Sequence, residues 1–155
     1  MKKFLLPLLV FFILANTVSA QEVILKKGKY ITRENGIVYT GVFKEFDSNK
    51  RLTSATSIKI GLLDDSTVIY YPSGTIKEVR SYREGQKNGS WTTWNESGKK
   101  TAEASFKNGK KDGYWYVWDE QGKKRYEMFY EQGEKKRVWV IWDENGKVIS
   151  MEDFK

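Results

Sequence analysis

Short apolar runs of two kinds, separated by polar turn segments, recur along this chain. In "GYWYVWDEQG" (113–122), an unbroken run of aromatic and β-branched residues reaches Trp118, and an acidic turn closing on glycine follows. The next run, "KKRYEMFYEQG" (123–133), is again aromatic-rich and ends on a second glycine. Short runs rich in aromatic and β-branched residues, bounded by turn residues, predict strands. No window after residue 20 holds a helical period.

The same two runs return at a fixed step. "GVFKEFDSNK" (41–50), "DSTVIYYPSG" (65–74), "GSWTTWNESG" (89–98), "GYWYVWDEQG" (113–122) and "RVWVIWDENG" (137–146) start 24 residues apart without slippage. The second halves keep the step and end at Gly61, Gly85, Gly109 and Gly133. Five tandem units follow, at 41–64, 65–88, 89–112, 113–136 and 137–155. Residues 21–40 are out of frame and are expected to form N-terminal cap strands.

Each unit is expected to be a β-hairpin. An Asp or Asn opening the four-residue link bonds the backbone two residues on, and a glycine in fourth place accepts a left-handed conformation. That combination predicts a type I turn with a bulge. The second link, such as "KNGKKDG" (107–113), is expected to be longer. Lys50 stands where the first unit's turn glycine belongs, and Arg137 replaces a leading glycine. Successive hairpins form an elongated all-β antiparallel meander in a single sheet, and two strands per unit at about 4.8 Å each give a ribbon about 50 Å long.

Side chains alternate across a strand. Trp115 and Trp118 therefore belong on opposite faces, in two ladders. One is Trp91, Trp115 and Trp139, extended by Phe43, and the other is Trp94, Trp118 and Trp142, extended by Tyr70 and Phe46. A third column collects Ile58, Tyr82, Phe106, Tyr130 and Phe154 from the second strands.

Composition narrows the chemistry. The 155 residues contain no cysteine and no histidine, which removes disulfides, thiol chemistry, the commonest general base and the commonest metal ligand. No metal, cofactor or catalytic residue is expected. A basic start "MKK", the apolar run "FLLPLLVFFILA" and the small-residue exit "NTVSA" read as a signal peptide over 1–20, cut near Ala20. The mature chain is then extracytoplasmic, periplasmic or secreted. Formal net charge is +7, or about +5 once Lys2 and Lys3 are set aside.

"YREGQKNGSWTTWNESGKK" and "FKNGKKDGYWYVWDEQGKK" resemble the MORN repeat family, most closely its longer bacterial variant, the YwqK-type antitoxin-like repeat proteins. The resemblance covers about residues 36–155. It implies a single-sheet hairpin array used for protein contact, membrane association or scaffolding.

The acidic turn residues Glu96, Asp119, Glu120, Asp143 and Glu144 imitate the paired carboxylates of a glycosidase, but they recur once per unit where a turn wants Asp or Asn. Lys99, Lys100, Lys110, Lys111, Lys123 and Lys124 form basic links that suit phosphates or acidic glycans, or simply a solvated edge. Basic charge among aromatics also suits single-stranded nucleic acid, but the repeat accounts for both features, and no nucleic-acid partner is expected. A one-layer sheet leaves aromatic surface for a partner or for self-association. The candidate binding face is drawn from Trp91, Trp94, Trp115, Trp118, Trp139, Trp142 and Tyr70. The expectation is an exported, non-catalytic scaffold holding a protein or glycan. The alternatives are association with acidic membrane lipids through the lysine-rich links, or an antitoxin-like neutralising role.

Overall fold

The structure, a computed structural model, describes residues 22–155. The signal peptide expected over 1–20 lies outside them. The described residues form β1 (Val23–Lys26), β2 (Lys29–Thr32), β3 (Gly41–Phe46), β4 (Leu52–Lys59), β5 (Leu62–Tyr70), β6 (Ile76–Arg83), β7 (Gln86–Trp94), β8 (Lys100–Lys107), β9 (Lys110–Trp118), β10 (Lys124–Glu131), β11 (Glu134–Trp142) and β12 (Val148–Phe154). Strands β3 to β12 make one antiparallel sheet in sequence order, and β1 and β2 form a separate hairpin. No described residue is helical.

Two turn types alternate along the ribbon, one at each long edge. At the first, the Asp119 carbonyl accepts the Gly122 amide at 3.0 Å, and the Asp119 carboxylate accepts the amides of Gln121 and Lys123. Gly122 has φ +86°, so this is a type I turn closed by a left-handed residue. In the first hairpin Lys50 takes that place at φ +61° and still donates its amide to the Asp47 carbonyl at 2.9 Å. A side chain in the left-handed region costs about 1–2 kcal/mol. Lys50→Gly is therefore expected to raise stability by about 0.5–1 kcal/mol after the entropy cost of glycine, read as a rise of a few degrees in Tm.

The other edge departs from expectation. The second link is a two-residue turn rather than a long one. Lys107 pairs with Lys110, Asn108 and Gly109 both have positive φ (49° and 81°), and "KKDG" belongs to β9. Positive φ at both central residues defines a type I′ turn, whose twist matches that of the flanking strands. The second glycine of the link, Gly113, sits inside β9 at φ +101°. There the register against β8 shifts between Ala104 and Phe106, a β-bulge.

These tight turns lock consecutive hairpins together. The amides of Gly61, Gly85, Gly109 and Gly133 donate to the carbonyls of Tyr39, Leu63, Lys87 and Lys111 at 2.7–2.9 Å. One residue earlier, the amides of Ile60, Glu84, Asn108 and Gln132 donate to the side chains of Thr40, Asp64, Asn88 and Asp112 at 2.9–3.3 Å. The short polar residue at each of these positions therefore ties neighbouring hairpins, a role distinct from forming a turn of its own.

The β1–β2 hairpin joins at the first tight turn. The Tyr30 amide donates to the Gly61 carbonyl at 2.9 Å, and the Tyr30 ring lies 5.9 Å from that of Phe43. Burial, and then the Glu45 carboxylate, push the Tyr30 phenol above its ordinary range.

The core is thin. Ile58 is 3% exposed, and the other buried apolar side chains are Val23, Phe106 and Tyr130. On the strands of the large sheet, Ser54, Thr56, Ile58, Phe106 and Tyr130 all point to one face.

Candidate functional site

The buried face carries a continuous zip of rings. Tyr82, Trp91, Phe106, Trp115, Tyr130, Trp139 and Phe154 follow one another with centroids 5.8, 4.8, 5.2, 5.3, 5.1 and 4.9 Å apart. Sequence reading placed Trp91, Trp115 and Trp139 in one ladder and Tyr82, Phe106, Tyr130 and Phe154 in a separate column. The two merge here, because neighbouring strands bring each second-strand ring between two tryptophans. All six contacts are tilted or edge-on, the geometry favoured by ring quadrupoles. The expected extension to Phe43 breaks at the second hairpin. Cross-strand partners run Phe43, Thr56, Thr67, Arg80, Trp91, with no ring between the two ends.

The indoles of this ladder are fully engaged. Nε1–H of Trp91, Trp115 and Trp139 donates to the carbonyls of Ser81, Ser105 and Phe129 at 3.3, 3.1 and 3.1 Å. Lys87, Lys111 and Lys135 lay their Nζ over these rings at 4.3, 4.3 and 4.5 Å, within cation–π range. Arg80 stacks at 5.2 Å on Trp91 and is held by Glu78 through two bonds of 2.8 and 2.9 Å, which keep its guanidinium still more firmly protonated.

The opposite face differs in chemistry. Trp94, Trp118 and Trp142 lie there, one per hairpin, together with Tyr70 and Phe46 in the earlier hairpins. No ring–ring contact joins these tryptophans among the described residues. Lysines alternate with them instead. Lys100 pairs with Trp94 across the strands and lies 5.7 Å from the Trp118 ring, while Lys124 pairs with Trp118 and lies 5.8 Å from Trp142. Each lysine is bonded to a carboxylate, Glu103 at 2.6 Å and Glu127 at 2.7 Å, and Lys124 also lies 4.7 Å over the Tyr116 ring. Along β9, Tyr114, Tyr116 and Trp118 continue the aromatic surface with centroids 5.5 and 5.6 Å apart. Burial and then the Glu127 carboxylate push the Tyr116 phenol up, so it stays a neutral donor. The indole N–H groups of Trp94, Trp118 and Trp142 have no acceptor among the described residues.

The six lysines expected as basic links do not form one patch. Lys99, Lys100, Lys123 and Lys124 follow the type I turns at one edge, and Lys110 and Lys111 follow the tight turns at the other, about 27 Å away along eight-residue strands. Lys99 and Lys123 bridge adjacent turns, donating to the carbonyls of Glu120 and Glu144 at 3.4 and 2.9 Å. The acidic turn positions act locally, as Asp119 does, and no group of three acidic residues among the described residues could hold a metal ion.

The sequence placed Lys111 among the basic links but did not show that it, with Lys87 and Lys135, caps the ladder tryptophans; the Glu103 and Glu127 partners and the tyrosines at 114 and 116 were also missed. The lysines and glutamates recur at the 24-residue step and were visible as columns.

A one-layer meander of tandem hairpins, with a continuous ring ladder on one face and separate, half-buried tryptophans on the other, defines a β-hairpin repeat protein. The family model described as the MORN repeat variant matches residues 87–108 and 111–132, two adjacent units. The all-β meander accords with MORN repeats and with a repeat scaffold. No curated protein and no solved structure matches the chain.

Proposed function

We propose that this chain is an exported, non-catalytic scaffold at the cell envelope that holds a protein or glycan on its open face, the face of Trp94, Trp118 and Trp142. The observation that supports this reading is the split between the tryptophans. The indole N–H groups of the ring ladder are bonded to backbone carbonyls, whereas those of the open face have no acceptor among the described residues. Tryptophan and tyrosine dominate binding hot spots because they offer large contact area with a polar handle. The 24-residue step supports the longer bacterial, YwqK-type variant as the repeat subtype, and the apolar leader over 1–20 supports export.

The test is capture from envelope extracts on immobilised protein. The Trp94→Ala/Trp118→Ala double variant is expected to lose the captured material while its thermal transition stays sharp. Equal capture by the parent and this variant would remove the open face from the account.

A second reading has one observation behind it. Lys87, Lys111 and Lys135 have no carboxylate partner among the described residues, so the ladder face bears a row of ammonium groups that rest on the rings with their charge not neutralised. Such a row suits the anionic surface of a lipid bilayer. An antitoxin-like role would use the same open face on a toxin protein.

A further inference from the structure

We propose that the open face binds a single chain of a β-1,4-linked, uncharged polysaccharide laid across the strands, one disaccharide to each hairpin; this rests on the open-face reading above and names its ligand. Trp94, Trp118 and Trp142 recur once per hairpin. Two strand spacings separate successive members, about 10 Å, which is close to the length of one disaccharide in such a chain. The chemistry repeats with the same period. In a β-1,4 chain each sugar is turned over relative to the last, so every second ring presents the same apolar C–H face. A sheet with one indole on every second strand meets that face each time.

Between the indoles lie groups suited to hydroxyls. Lys100 with Glu103 and Lys124 with Glu127 offer donors and acceptors side by side at the same interval. Each pair is internally neutral, so the row itself adds no net attraction to a polyanion, and Arg137 on the same face is held on the Phe129 ring at 3.8 Å and donates to the Tyr114 hydroxyl at 2.9 Å. The lysines stand 5.7 and 5.8 Å from the Trp118 and Trp142 indoles, against 4.3 Å for Lys87 and Lys111 on the ladder face, and the nearer contact of Lys124, 4.7 Å, is to the Tyr116 ring. The open-face indoles are thus less covered by their own cations. A pocket of about 500 Å³, lined by Ile76, Trp94 and the turn residues Gly74, Thr75 and Gly98, opens at the start of the row. It has the size and apolar floor for a sugar ring.

Sheet twist separates a free chain from a crystalline surface. Adjacent strands rotate by about 20°, so successive indoles turn by about 40°. A soluble chain can wind to follow them, whereas a flat array of packed chains meets only one or two.

The experiment is calorimetric titration of the purified protein with chitohexaose and cellohexaose, and with the corresponding disaccharides. A hexasaccharide spans three tryptophans, so at least one of the two is expected to bind more than tenfold tighter than its disaccharide. Trp118→Ala is expected to weaken that binding roughly tenfold, with its circular dichroism spectrum unchanged. Should that variant lose its fold, Lys124→Ala with Glu127→Ala serves instead, and the hexasaccharide is again expected to bind several-fold more weakly. Preference between the two sugars reports whether N-acetyl groups are read. If neither hexasaccharide binds, or if the open-face variants bind like the parent, the proposal is overturned. Should sugars fail while the Trp94→Ala/Trp118→Ala variant still loses its captured envelope material, the open face remains a docking surface and only the glycan assignment falls. If both fail, both readings fall.

Discussion

Replacing Trp115 with alanine is expected to lower the unfolding free energy by about 3 kcal/mol, within the range for large aromatic truncations. The ring touches Phe106 at 5.2 Å and Tyr130 at 5.3 Å, its Nε1–H donates to Ser105 at 3.1 Å, and Lys111 caps it at 4.3 Å. Truncation removes all four contacts at once, and no second layer of structure can collapse into the gap. The site also lies in the fourth of five hairpins, with ladder on both sides. In a nearest-neighbour array, a break inside uncouples the flanks. The denaturant transition should therefore broaden as well as shift, a departure from two-state behaviour. Trp118→Ala is the internal control: its ring is also half-buried, but it meets one neighbouring ring, Tyr116 at 5.6 Å, and no carbonyl accepts its Nε1–H, so it is expected to cost about 1.5 kcal/mol. Equal losses at both positions, measured by urea unfolding, would refute the division between the faces.

Gly113→Ala is expected to cost as much, about 3 kcal/mol, from two separable sources. The backbone at φ +101° resists any side chain, a penalty of about 1–2 kcal/mol. A methyl group there would also lie 2.9 Å from Cβ of Ser105 across the bulge, and overpacking of that kind adds about 1–3 kcal/mol. Gly122→Ala isolates the first source, because φ is +86° but the space is open. It should cost about 1 kcal/mol. Adding Ser105→Gly to Gly113→Ala should recover the steric part and leave the backbone part, a double-mutant coupling visible in the same urea experiment. Arg137 occupies the equivalent place in the last hairpin at φ +61°. That less extreme angle fits a side chain better than the +101° of Gly113.

How much of this was legible follows from which residues set the geometry. The step of 24 is carried by recurring glycines and aromatic residues, so the hairpin array was readable from the chain. So was the turn at Asp119–Gly122, because Asp and glycine each have one physical reason to be there. The tight turn was not read correctly. "NGKKDG" holds two glycines, and only pairing shows that Asn108–Gly109 makes the turn while Gly113 serves a bulge. The acceptors Thr40, Asp64, Asn88 and Asp112 were hidden because short polar residues suggest local turns, three of the four stand directly before a glycine, and their partners lie 20 residues away. Merging of the two ring columns depended on register between strands, which alternation within a strand does not reveal. The choice of open face was equally out of reach, since strand alternation supplies tryptophans to both sides. What distinguishes them is whether the indole N–H meets a carbonyl.

That distinction gives the most direct test. Hydrogen exchange of the six indole Nε1–H groups, followed by NMR on ¹⁵N-labelled protein, reads each tryptophan separately. Trp91, Trp115 and Trp139 are predicted to exchange slowly, and Trp94, Trp118 and Trp142 at rates near those of free indole. Six similar rates, or protection on the opposite set, would contradict a sheet locked on one face and open on the other.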